Sequence, residues 1–206
     1  MTLAMRDDTR HDNGRLKRQV DFLVALDRLK QVRRRNLVMD GSRRENSAEH
    51  SWHTAMMTMI LADHAPEGTD VCRATRMMLV HDVIEIEAGD TFCYDEAGKQ
   101  GVKEREREAA DRIFGLLPQD VAGELRGLWD EFEARETPEA LFANAMDRFQ
   151  VLFQNLHSQG GTWAEYGIGR SQVEKRMAPV RDAAPGLWPT VQAILDTACD
   201  KGWLKG

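Results

Sequence analysis

The dipeptide His81-Asp82 constrains this chain more than any other feature. It closes an apolar, helix-compatible run, Met77-Met78-Leu79-Val80, and Ile84 and Ile86 follow it. An unpaired carboxylate buried in such a setting costs several kcal/mol, on the order of a domain's whole net stability. Something must compensate, and a divalent cation is the direct solution. Two more suitable donors lie in helical contexts, His50 upstream and Asp147 downstream.

Composition sets the frame for that idea. The chain has 206 residues, 42% hydrophobic and 30% charged, which predicts one domain with enough apolar material for a core. Residues 1–14 are polar and read as a loose tail ahead of a folded unit over 15–206. Net charge is −6 and no basic stripe appears, which argues against a long nucleic acid partner but not against a mononucleotide. No apolar run approaches the length that spans a bilayer, and the start lacks the apolar core of a signal peptide. Cys72, Cys93 and Cys199 are scattered without a Cys-x-x-Cys pair, so reduced cytoplasmic thiols are expected and a cysteine zinc site is not.

The periodicity predicts an all-α, bundle-like fold. Helices are expected over Arg15 to about Arg35, from Ser47 as N-cap to about His64, and from about Asp70 through His81, Asp82 and Glu85 to Gly89. Further helices are expected over Val102 to Leu117, Gln119 to Arg135, Ser171 to Ala184 and Trp188 to Trp203. Thr137-Pro138-Glu139 is the clearest helix start: an N-cap, a proline at the first position and an acid in the first turn. That helix carries Asp147 and stops near Gly160-Gly161, with Thr162-Trp163 covering one side of a pocket. Its apolar residues Leu141, Phe142, Ala145, Phe149, Leu152, Phe153 and Leu156 are expected in the core. Segments 39–46 and 90–101 read as loops, and no strand or sheet is expected.

A metal site built from helices needs donors from separate elements that converge. Two imidazoles and two carboxylates form a borderline set, better suited to Mn, Fe, Co, Ni or Zn than to Ca. Bound water at such an ion becomes a nucleophile near neutral pH. Each residue also has a plainer explanation. His-Asp dipeptides arise by chance, His50 sits early in a helix where polar residues are ordinary, Asp147 has Arg148 beside it, and Glu85 suits a solvated helix face. His53, one turn from His50, reads as a core or supporting residue; His157, near a helix end, reads either way.

Taken together, Leu29-Lys30-x-x-x-Arg34, Asn46-Ser47-x-Glu49-His50-Ser51, His81-Asp82-x-x-Glu85, Gly89-Asp90 and Asp147 resemble the ordered motifs of the HD-domain 5′-deoxynucleotidases, within the HD-domain metal-dependent phosphohydrolases. The resemblance covers about residues 20–160. It implies one divalent metal ion (Mn, Co, Fe, Ni, Zn or Mg) held by His50, His81, Asp82 and Asp147, and hydrolysis of the 5′-phosphate monoester of a nucleotide. It implies that Glu85 handles protons, that Asp90 lies at the substrate end, that Arg34 binds phosphate, and that the chain is a homodimer. One departure concerns Arg35, which stands where those nucleotidases carry a tryptophan; a second arginine there would suit a substrate with more phosphate, or would face solvent. The segment Thr91 to Asp95 also differs from the nucleotidase pattern. Two alternatives stay open: hydrolysis of a polyphosphorylated or cyclic nucleotide, and a metal-containing nucleotide-binding module without turnover.

Overall fold

A computed structural model describes residues 12–90 and 101–205. Residues 1–11 of the expected tail, His11 among them, lie outside the described residues, as do Thr91 to Asp95 and Cys93. The described chain is mainly helical: α1 (Asp12–Leu26), α2 (Ser47–Ile60), α3 (Val71–Val80), α4 (Glu85–Ala88), α5 (Val102–Phe114), α6 (Gln119–Ala134) and α7 (Pro138–His157), then α8 (Gly161–Tyr166), α9 (Arg170–Arg176), α10 (Ala178–Ala183) and α11 (Trp188–Asp200). Among the described residues no helix is long and apolar enough to cross a membrane.

Helix α7 is the axis of the fold, and its start is built as its sequence predicts. The Thr137 hydroxyl accepts from the Ala140 N–H at 3.2 Å, Pro138 occupies the first turn, and Glu139 faces the positive end of the dipole. Over its 20 residues, roughly 30 Å at 1.5 Å per residue, it packs against α2, α3, α6, α10 and α11. Phe142, Ala145, Phe149 and Leu152 are buried, and Phe153 and Leu156 are partly buried against the core. Leu141 departs from expectation: at 39% exposure it faces outward, because a helix ringed by neighbours still leaves one strip free.

The expected absence of a sheet is wrong. The helix foreseen to Arg35 ends at Leu26, passes through a 3₁₀ turn over Asp27–Gln31, and gives way to β1 (Arg33–Leu37). This strand pairs antiparallel with β2 (Arg44–Asn46), with Arg33 opposite Asn46. The strand carries three consecutive arginines, Arg33, Arg34 and Arg35. On a strand they alternate, and Arg34 turns inward while Arg33 and Arg35 remain exposed. The segment read as a loop thus contains β2. Asn46, not Ser47, caps α2: its side chain accepts from the Glu49 N–H at 3.0 Å, and Glu49 accepts from the Asn46 N–H at 3.4 Å.

Two other long helices are interrupted. α3 stops at Val80, and a turn over 81–84 precedes α4. Consecutive helical residues diverge by about 100°, so a continuous helix would aim His81 and Asp82 at different points. The helix foreseen over Ser171 to Ala184 breaks at Met177, one residue before α10 opens with Pro179 in its first turn, where the missing N–H costs nothing. The last helix ends at Asp200, short of Trp203, and the short α8 follows Gly160-Gly161 where only a stop was foreseen.

Candidate metal centre and the cleft above it

α2, α3 and α7 pack against one another, and that mutual packing brings the donors together. His50 leaves the first turns of α2, His81 follows the end of α3, and Asp147 projects from the middle of α7. One donor atom from each of the three lies within 4.8 Å of the others. His50 Nε2 is 3.0 Å from Asp147 Oδ1, and the two imidazole centroids are 5.4 Å apart. Asp82 sits at the edge of this trio. Its Oδ1 is 3.1 Å from His81 Nε2, while Oδ2 is 3.9 Å from His50 Nε2 and accepts from Arg34 Nη1 at 2.7 Å.

The donor chemistry fits a cation. His81 Nδ1 is 2.8 Å from the Met78 carbonyl, which can only accept, so that nitrogen carries the proton. Nε2 is then a bare lone pair, and it is a buried atom with no hydrogen-bond partner. Burial pushes the His81 pKa down, against Asp82 and Asp147, which keeps the ring neutral as a ligand must be. His50 shows the opposite balance. Burial and Arg34 disfavour its charge, yet Asp147, Glu45 and Asp82 push it up to about 10. Burial disfavours the Asp147 carboxylate too, but His50, Arg148 and His81 hold it well below the usual range. Asp147 and Asp82 thus face the Nε2 side of His50, where a cation would sit, and Glu45 faces its Nδ1 side.

A cleft of about 790 Å³, its open mouth included, lies over Asp82 and Asp147. Its wall carries Arg34, Arg35, Arg148 and Arg176 among the carboxylates, and Thr162 and Trp163 close one side. Glu85 opens α4 and is held by the Ser47 hydroxyl, which donates to Oε2 at 2.5 Å. Burial pushes the Glu85 carboxyl well above its ordinary value, and Asp82 and Asp90 add to the effect against Arg34. Gly89, at φ 76, takes a conformation that side-chain-bearing residues rarely adopt, and the next residue, Asp90, lines the cleft. Burial also raises Asp90, whose Oδ1 is 4.0 Å from Arg34 Nη1. For Arg34, burial opposes the charge, but Asp82, Glu85, Asp90 and Asp147 outweigh it and raise the pKa above its ordinary value.

Every residue expected at the metal or substrate site thus lies at or beside this cleft, though Arg34 arrives on a strand and Arg35 is exposed at the mouth. His53 is aside from the trio, with Nδ1 3.3 Å from Gln150 Nε2, and His157 is exposed at the end of α7. Sequence reasoning missed Arg176, Glu45 and the cleft position of Arg148, which is buried with Nη1 3.5 Å from Asp147 Oδ2. Glu45 is 3% exposed and faces the far side of His50, with Oε2 3.5 Å from Nδ1. β2 is three residues long and follows Gly41 and Ser42, which spelled loop, so no sequence signal marked Glu45.

Comparison with known proteins agrees with this geometry. A family model described as the HD domain matches residues 26–188. The human protein named 5′-deoxynucleotidase HDDC2 is 33% identical over 136 residues, 66% of this chain and 65% of its own length, so the match leaves about a third of that relative uncovered. The fission-yeast (Schizosaccharomyces pombe) protein named 5′-deoxynucleotidase hdd1 is 30% identical over 191 residues, 90% of this chain and 86% of its own. The crystal structure of a predicted metal-dependent phosphohydrolase from Magnetospirillum magnetotacticum MS-1 is 46% identical and superposes with a TM-score of 0.90 over 95% of this chain and 98% of that one. With one match running from the end of α1 to the start of α11 and another spanning nearly all of both chains, this chain belongs to the HD-domain family.

Proposed function

We propose that this chain is a metal-dependent phosphomonoesterase that removes the 5′-phosphate of a deoxynucleoside monophosphate. The observation that carries the proposal is the bare, buried Nε2 of His81 meeting His50 and Asp147 beneath a cleft lined with arginine. The names of the human and fission-yeast relatives supply the nucleotide. His50, His81, Asp82 and Asp147 would hold one divalent ion. Such an ion, when bound, neutralises phosphoryl charge and lowers the pKa of a water at the site.

The chain's own residues supply the rest. Arg34, fixed by Asp82, presents its guanidinium to the phosphoryl oxygens. Glu85, with its raised pKa, moves a proton between the attacking water and the leaving oxygen. Trp163 and Thr162 bound the space left for the nucleoside. The lining sets four arginines among four carboxylates, so a phosphate ester meets cationic donors there, and a divalent ion would add to them. A binding module without turnover would have no use for a carboxyl whose pKa is raised beside its ligands, and this favours the enzyme.

Metal removal tests the ligand set without any substrate. A divalent ion supplied at about 100 times its Kd stabilises a folded chain by about 2.7 kcal/mol. For a chain of this size that is a rise in Tm of roughly 5–10 °C. Mn²⁺ is expected to raise the melting temperature of the chelated protein by that amount, and EDTA to reverse it. A melting curve unmoved by either would contradict the assignment.

Arginine substitutions test the substrate. Arg34→Ala is expected to raise KM and lower turnover on every phosphate ester. A charge-assisted contact is worth roughly 1.5–3 kcal/mol, or about one to two orders of magnitude in kcat/KM. Arg35→Ala is expected to change mono- and polyphosphates equally and by less than about twofold, as for a solvated side chain. A loss confined to substrates with two or more phosphates would move the reading to polyphosphorylated nucleotides.

A further inference from the structure

Three of the buried polar atoms without a hydrogen-bond partner are Arg34 Nε, Glu45 Oε2 and His50 Nδ1. They are not scattered. Glu45 Oε2 lies 3.5 Å from His50 Nδ1 and 3.5 Å from Arg34 Nε. Its other oxygen, Oε1, accepts from Gln150 Nε2 at 2.9 Å. A carboxylate oxygen has two lone pairs to offer, and Arg34 Nε–H and His50 Nδ1–H are both donors. A small contraction lets the three atoms satisfy one another completely.

We infer that Glu45 is a positioning residue that ties the metal ligand His50 to the phosphate-binding Arg34. The inference rests on the phosphohydrolase reading above and adds to it. Glu45 stands on the Nδ1 side of His50, opposite Asp147, which is 3.0 Å from Nε2. It is therefore outside the ligand set. Holding the proton on Nδ1 turns the Nε2 lone pair toward the cation and fixes the plane of the ring. The same oxygen holds the Nε edge of Arg34, so that Nη1 reaches Asp82 and the cleft. The hairpin makes this possible. Arg33 pairs with Asn46, and the next residue inward on each strand is Arg34 and Glu45. One carboxylate thereby links affinity for the cation to affinity for the phosphate.

The test is Glu45→Gln in the full chain, which keeps the side chain's shape and removes its charge. Mn²⁺ affinity, measured by calorimetry on the chelated protein, is expected to fall 10- to 100-fold. The Kd for inorganic phosphate at saturating Mn²⁺ is expected to rise several-fold in the same variant. The downfield NMR resonance of the His50 Nδ1 proton is expected to move upfield, a change that general loosening of the fold does not produce at one proton alone. If the glutamine variant does not fold, Glu45→Asp keeps the charge one methylene short of both donors, and Mn²⁺ affinity is expected to fall by a smaller factor. Wild-type Mn²⁺ affinity in the folded variant, or an unmoved His50 resonance, overturns the inference. A wild-type chain that takes up no Mn²⁺ overturns the phosphohydrolase reading instead, and the His50 resonance still decides whether Glu45 holds that ring.

Discussion

Asp82→Ala is expected to strip the protein of its metal and of its activity together. In the wild type the Asp82 carboxylate lies 3.1 Å from His81 Nε2 through one oxygen and accepts from Arg34 through the other. Its removal takes away one anionic donor and frees the arginine at the same time. A guanidinium buried beside two histidines with one carboxylate fewer will repel a cation. Elemental analysis after dialysis should find close to one equivalent of divalent metal in the wild type and almost none in the variant. Several kcal/mol of transition-state stabilisation depend on the ion, and each 1.36 kcal/mol is tenfold in rate, so turnover should drop by roughly 10³-fold or more. Asp82→Asn separates the two roles. Its amide oxygen still accepts from Arg34, so loss of metal in this variant assigns the defect to the missing charge. Full occupancy in Asp82→Ala, with or without activity, would remove Asp82 from the ligand set.

The residues proposed as donors stood out in the sequence because burying them is costly. Nothing but a partner of opposite charge makes a His-Asp pair tolerable at the end of Met77-Met78-Leu79-Val80, and the structure indeed buries both residues. The helices that carry them were legible from period and caps, most clearly at Thr137. The hairpin was not. Its strands are five and three residues long, too short for a period, and their pairing is a long-range fact that local propensity does not record. The error propagated to the site. With Arg34 placed on a helix, the inward-outward alternation of Arg33, Arg34 and Arg35 was invisible, and so was the partner strand that brings Glu45 beneath His50. The break after Val80 was hidden for a related reason. Residues 81–84 contain no glycine or proline to mark a break, and the turn brings two neighbouring side chains to one site, a tertiary demand that local propensity does not record.

Glu85→Gln is expected to separate catalysis from metal binding. The substitution preserves length and volume, and the Ser47 hydroxyl can still donate to the amide oxygen, so the start of α4 should keep its place. What disappears is the exchangeable proton. Burial and the charges of Asp82 and Asp90 hold the Glu85 carboxyl well above its ordinary value, which brings it toward the pH at which a group both gives and accepts protons efficiently. Among the carboxylates of the cleft it is the one tied to a hydroxyl and not to a histidine or an arginine. Metal content is therefore expected to remain at the wild-type level while kcat falls by at least about 100-fold. KM should change little, because the contact is made to a proton in transit and not to the bound phosphate. The pH profile supplies an independent check. If Glu85 donates to the leaving oxygen, wild-type activity declines as pH rises through its raised pKa; if it takes a proton from water, activity declines as pH falls through it. Either limb should vanish in the glutamine variant. Loss of metal from Glu85→Gln would make this carboxylate a ligand, and the proton would then have to be carried by Asp90, the other cleft carboxyl that burial raises.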